Sequence, residues 1–182
     1  MRTITTLGTA TLLTIALASE HAVAATASEI EREVAAAVKA CYAGVEGCHA
    51  VAKKAKGVLV FPQVTKAGLG IGGSYGVGAL QIGGRTVGYY STTSASIGLQ
   101  AGAEEHSEMI MFLSEEALNQ FRASSGWKVG GDASVAVIDE GAAKNVDSLT
   151  HKEPIVAFVY GAKGLMGSLS LEGAKISPYT PD

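Results

Sequence analysis

The sequence predicts an α+β fold: a curved or barrel-like antiparallel sheet with an N-terminal helical segment and one short internal helix. Three observations lead there. Apolar residues recur at helical spacing only near the N-terminus and in one short stretch after Ser114. Glycine recurs every few residues from Ala67 to Gly102, and each glycine costs a helix about 1 kcal/mol. Runs of strand-like sequence follow one another instead of alternating with helices, which favours antiparallel pairing. Glycine at alternate strand positions lets a sheet bend sharply or lets two backbones approach.

Residues 1–24 read as a signal peptide, and residues 25–182 as a single domain. Arg2 supplies the positive start, Leu7 to Ala18 the apolar run, and Glu20 and His21 the polar end. Ala22-Val23-Ala24 then fits the small-x-small cleavage rule. The apolar run is too short to span a bilayer core of about 30 Å. An uncleaved anchor is the alternative. After cleavage near Ala24 the protein is expected in the periplasm or outside the cell, with membrane association open.

Ser28 and Glu31 have capping-box spacing, so a helix is expected to start there. Ile30, Val34, Ala37, Val38 and Cys41 make its apolar face, and Gly44 its stop. That face either packs on the sheet or lies on a membrane; the glutamates on the opposite side suit an interfacial helix poorly. Cys41 and Cys48 are the only cysteines. In an oxidising compartment they are expected to bridge, with Gly44 and Gly47 letting the chain turn back. A metal site and a redox pair are the alternatives, and the spacing fits neither a zinc knuckle nor a thioredoxin motif. A short helix over His49–Lys56 follows.

Gly57 to Phe61 reads as a buried strand, with Pro62 marking its end or an edge position. Ala79–Ile82 and Arg85–Tyr90 flank Gly83-Gly84, a two-residue hairpin turn. Ser91–Ala103 and Glu108–Leu113 read as two further strands. Ser114 opens a helix with Leu118 and Phe121 inward and Gly126 as its stop. Trp127–Ile138 returns to strand, and Asp139–Lys152 is a polar loop. Pro154–Tyr160 is an apolar strand, Ala162-Lys163-Gly164 a turn, and Leu165–Ile176 a final strand.

Separated blocks of this sequence resemble the SYLF domain family. Ala55-Lys56-Gly57-Val58-Leu59-Val60-Phe61-Pro62 with Lys66-Ala67-Gly68-Leu69-Gly70-Ile71-Gly72-Gly73 resembles its opening signature. Gly88-Tyr89-Tyr90-Ser91, Phe121, Ser125-Gly126-Trp127 and Gly131-Asp132 follow in order, then Gly164-Leu165-Met166, Ser170-Leu171-Glu172-Gly173 and Lys175-Ile176. The resemblance runs from about Val34 to Ser177. It implies binding to membrane lipids, with phosphoinositides reported for eukaryotic members, and some yeast members are described as actin-binding. An exported protein meets no actin, so actin is not an expected partner. The family offers no catalytic residues to carry over.

The residues supply their own candidates. Lys53, Lys54 and Lys56 cluster before the first strand and Lys66 follows it, a set suited to anionic phospholipids or a membrane surface. The alternative is an ordinary solvated patch. A net charge of -3 offers nucleic acid no concentrated basic face. Gly68-x-Gly70-x-x-Gly73 formally matches a dinucleotide fingerprint, but strand sequence follows where a helix must start. Glu104, His106 and Glu108 would share one face of a strand, as metal ligands or as a polar strand end. His49 and His151 read as surface residues. The expectation is a non-enzymatic lipid-binding protein with no catalytic residue, metal or cofactor. A structural or protein-interaction module of the cell envelope, without a lipid ligand, is the alternative, and a metal-dependent hydrolase using Glu104, His106 and Glu108 is a third, weaker one.

Overall fold

The computed structural model describes residues 25–139, 153–164, 171 and 173–182. Residues 1–24, expected as a signal peptide, residues 140–152 of the expected polar loop, and residues 165–170 and 172 of the expected last strand lie outside the described residues. Among the described residues no helix is long and apolar enough to cross a membrane.

Helix α1 spans Ala27–Gly44 and α2 spans Cys48–Ala52. The capping box of α1 is Thr26 with Glu29, two residues before the expected Ser28–Glu31 pair. The Glu29 amide donates to the Thr26 hydroxyl at 3.3 Å, and the Thr26 amide donates to the Glu29 carboxylate at 3.0 Å. The same spacing occurs at both places, and the earlier pair caps the longer helix. Ile30, Val34, Ala37 and Cys41 are buried, as the periodicity predicts. α2 is shorter than expected, and Lys53–Lys56 leave it as a turn.

Two long strands dominate. β1 (Gly57–Ile82) and β2 (Arg85–Phe112) pair antiparallel along their length. Gly83 and Gly84 join them with φ of 59° and 76°, the two left-handed residues that a tight hairpin of this twist requires. β2 is continuous where two strands were expected. Pro62 does not end β1: a register shift between Phe61 and Val64 absorbs it, and among the described residues β1 has no partner strand besides β2, so there the missing N–H falls on an edge.

Helix α3 (Glu115–Ala123) follows, then β3 (Trp127–Lys128), β4 (Ala136–Asp139), β5 (Ile155–Gly164) and β6 (Lys175–Tyr179). The expected Trp127–Ile138 strand is broken, because Gly130 turns the chain with φ of 78° and the Asp132 carboxylate accepts from the Lys128 amide at 2.6 Å. Ala162-Lys163-Gly164 is not a turn but the end of β5, with Lys163 opposite Glu105. The last strand begins at Lys175, after a turn at Gly173. The sheet order is β3-β6-β2-β5-β4, with β1 also on β2. β4 and β5 run parallel, whereas the other named strand pairs among the described residues are antiparallel.

The sheet buries both faces, by strict alternation. Val60, Met109, Met111, Val156 and Phe158 face α1, and the Tyr160 hydroxyl donates to the Ala37 carbonyl at 2.9 Å. Leu59, Phe61, Ile110, Phe112, Ala157 and Val159 face α3, where Phe121 and Trp127 meet edge to face. The apolar face of α1 is therefore core, not a membrane-lying surface. Curvature comes from glycine. A Cβ on Gly76 would lie 2.8 Å from the Gln63 carbonyl oxygen, and one on Gly78 would collide with that of Val60. The two halves of β1 thus press backbone to backbone, and the sheet curls into a half-barrel.

Candidate functional site

The α1–α2 corner leads into the three exposed lysines Lys53, Lys54 and Lys56. Cys41 and Cys48 sit at disulfide-bonding geometry with Cα atoms 6.0 Å apart. Both are fully buried, so the staple is anchored in the core under α1. Each cysteine is followed by a ring, and the staple brings those rings together: Tyr42 and His49 stack with centroids 4.8 Å apart. A shallow groove beside them is lined by Tyr42, Gly44, Val45, Glu46, His49 and Lys53. Burial against this corner raises the Tyr42 phenol above its usual range. Lys53, Lys54 and Lys56 are exposed along the chain that leaves the groove. The Lys56 amide donates to the Phe112 carbonyl at 2.8 Å, which pins the end of the cluster to the sheet.

Lys66 does not join them. It lies ten residues along β1 from Lys56, up to about 30 Å at the rise of a strand. It is half-buried and opposite Glu104 in register. The sequence-derived set of four lysines is thus a group of three and one remote member. His49, which the sequence suggests is a bystander, belongs to the corner. Its signal was the repeated order of cysteine then ring, Cys41-Tyr42 and Cys48-His49, since a bridge brings the residues beside both cysteines near each other.

Glu104, His106 and Glu108 do share one face of β2. They are not a polar strand end: their exposures are 2%, 8% and 4%. His106 Nε2 is 3.0 Å from Glu108 Oε1, and Nδ1 is 3.9 Å from Glu104 Oε1. Among the described residues both Glu104 carboxylate oxygens, His106 Nδ1 and Glu108 Oε2 have no hydrogen-bond partner. Among the described residues no group of three histidines, cysteines or carboxylates is arranged to hold a metal ion. By strand alternation the three share the face of Ile110 and Phe112, which points into the core enclosed by the curled sheet. The glycine motif at Gly68–Gly73 lies inside β1 with strand on both sides, without the helix a dinucleotide site needs.

Residues 93–181 match the family Ysc84, described as Las17-binding protein actin regulator. This part of the chain is similar to the Ysc84 (SYLF) family. The Ysc84 match takes in most of β2, α3 and everything to the end of β6, just under half of the chain. It includes the Glu104–His106–Glu108 ladder and Trp127. The stapled corner, β1 and the glycine-rich opening blocks precede it. No curated protein matches the chain.

Proposed function

We propose that this chain is an exported, non-enzymatic module that associates with anionic lipid surfaces through its stapled corner. One observation carries the reading: the Cys41–Cys48 staple holds the Tyr42–His49 stack beside exposed Lys53, and exposed Lys54 and Lys56 follow it in the chain. Each lysine near an anionic surface contributes about 1 kcal/mol, so the three together give weak, salt-sensitive attachment. Tyr42 is 37% exposed and suits the boundary between headgroups and water. Glu46 in the groove subtracts from the attraction and favours phosphate-rich surfaces over weakly charged ones. A disulfide belongs to oxidising compartments, which supports export and a periplasmic or secreted location. His106 is buried and bound to Glu108, which supports a structural rather than a catalytic imidazole.

Vesicle flotation tests the proposal. The chain is expected to float with phosphatidylcholine–phosphatidylglycerol vesicles and not with phosphatidylcholine alone. Binding is expected to fall as salt rises from about 0.05 to 0.5 M and to fall again when Lys53, Lys54 and Lys56 are replaced by glutamine. No flotation with any composition at low salt refutes it. The family description favours a second reading, a protein-interaction module, for which a stoichiometric protein complex without vesicle binding is the expected outcome.

A further inference from the structure

The bend of the long hairpin carries a second candidate lipid contact, and it is of the opposite chemical kind. Leu69 and Ile71 are 82% and 75% exposed, far more than any other large aliphatic side chain of the described residues. They stand on either side of Gly70, whose φ of 74° needs glycine. Here the register slips, so that Gly70 alone on β1 stands against residues 98–100 on β2. A Cβ on Gly68 would lie 2.5 Å from Gly72 Cα, so the strand doubles back within four residues. The outcome is a corner of the sheet that points both side chains outward.

The composition around that corner says what it fits. From Ala67 to Ala103 the single charged side chain is Arg85. Arg85 sits at the far end of the hairpin, opposite Ile82. Both strands are therefore charge-free through the bend, and charge returns only at the register pair Lys66–Glu104. Protein-binding patches have polar, charged rims within reach of their apolar centres. An uncharged tip with two protruding aliphatics instead suits the headgroup–acyl boundary of a lipid layer. The depth is limited, because backbone outside the regular ladder at the register slip must stay near water.

We infer that the Leu69–Ile71 bend inserts its two side chains into a lipid surface. This rests on the lipid-association reading above and adds an apolar contact remote from the lysines. The lysines lie before β1 and the bend lies twelve residues or more beyond Lys56, so the two elements act separately. The electrostatic part of binding should respond to salt and the insertion should not.

The test uses the full mature chain with phosphatidylcholine–phosphatidylglycerol vesicles. The double variant Leu69→Ser with Ile71→Ser is expected to lose about tenfold or more in partition coefficient, with its melting temperature unchanged. Leu69→Trp is expected to shift its emission to the blue and to be quenched by lipids brominated on the acyl chain. The native Trp127 is buried in the core and gives a constant background. If the serine double variant floats like the parent, or Trp at position 69 stays unquenched on bound protein, the insertion is overturned while lipid association stands. If the parent itself floats with no vesicle, both fall. A parent that is dimeric in solution and made monomeric by the serine pair assigns the bend to a second copy of the chain and overturns the lipid contact.

Discussion

Replacing Cys41 and Cys48 together by alanine removes a short, fully buried staple, and its stability effect follows from loop entropy. The two residues are seven apart, so the closed loop holds about eight residues. The chain-entropy relation gives about 8 cal/mol/K for such a loop, or about 2.5 kcal/mol at 25 °C. Both sulfurs are buried, and each truncation also leaves a small void beside Met109 or α1. A domain of this size loses about 2–4 °C of melting temperature per kcal/mol, so the expected fall is about 5–10 °C. Scanning calorimetry of parent and variant, each with and without a reductant, reads the effect. The reduced parent should approach the variant, and the variant should ignore the reductant. If oxidised parent and variant melt within about 1 °C of each other, the staple is not a stabilising element and the loop argument is wrong. The same variant should loosen the Tyr42–His49 stack and so weaken vesicle binding at low salt.

Gly78→Ala places a methyl group against the Val60 carbonyl and 2.8 Å from the Phe61 ring, where backbone offers no room. A loss of about 3 kcal/mol is expected in urea unfolding, against a negligible change for Gly44→Ala, which meets nothing. Tyr160 supplies a pH dependence. Burial raises its phenol well above the ordinary value near 10, while the hydroxyl of the unfolded chain ionises there. Its stabilisation is fully present below pH 10 and is lost as the pH climbs from there toward the folded value. Tyr160→Phe should cost about 1 kcal/mol at neutral pH by losing the bond to the Ala37 carbonyl, and should make the alkaline decline in melting temperature shallower. A variant whose alkaline decline matches the parent's would show that other groups govern it.

Much of the architecture was legible because it rests on short-range pattern. Ile30, Val34, Ala37 and Cys41 gave α1, Gly83-Gly84 gave the hairpin, and Ser114 with Leu118 and Phe121 gave α3. The failures share a cause. Nothing local tells that Ser91–Ala103 and Glu108–Leu113 are one strand, because what joins them is pairing with β1 and β5 on either side. The burial of Glu104, His106 and Glu108 followed from the curl of the sheet over the face they share with Ile110 and Phe112, and it was equally hidden. Likewise, Ala162-Lys163-Gly164 looks like a turn by composition, and Glu105 across the ladder holds Lys163 in strand register. The corner was half legible: the lysines were evident, but their separation from Lys66 needed the length of β1.

The 28-residue β2 has a consequence for how the chain can be divided. Its first part carries β6 and its second part carries β5, while β1 runs along its other margin throughout. No cut between residues 57 and 112 leaves two self-sufficient pieces. A segment starting at Thr93 would contain β5 and β6 yet strip sixteen positions between Thr93 and Phe112 of their β1 partners and leave β6 a single β2 partner, Thr93. Such a bare ladder recruits other chains. Expressed alone, the family-matched portion should therefore clump, and supplying the preceding hairpin arm should restore a well-behaved monolith.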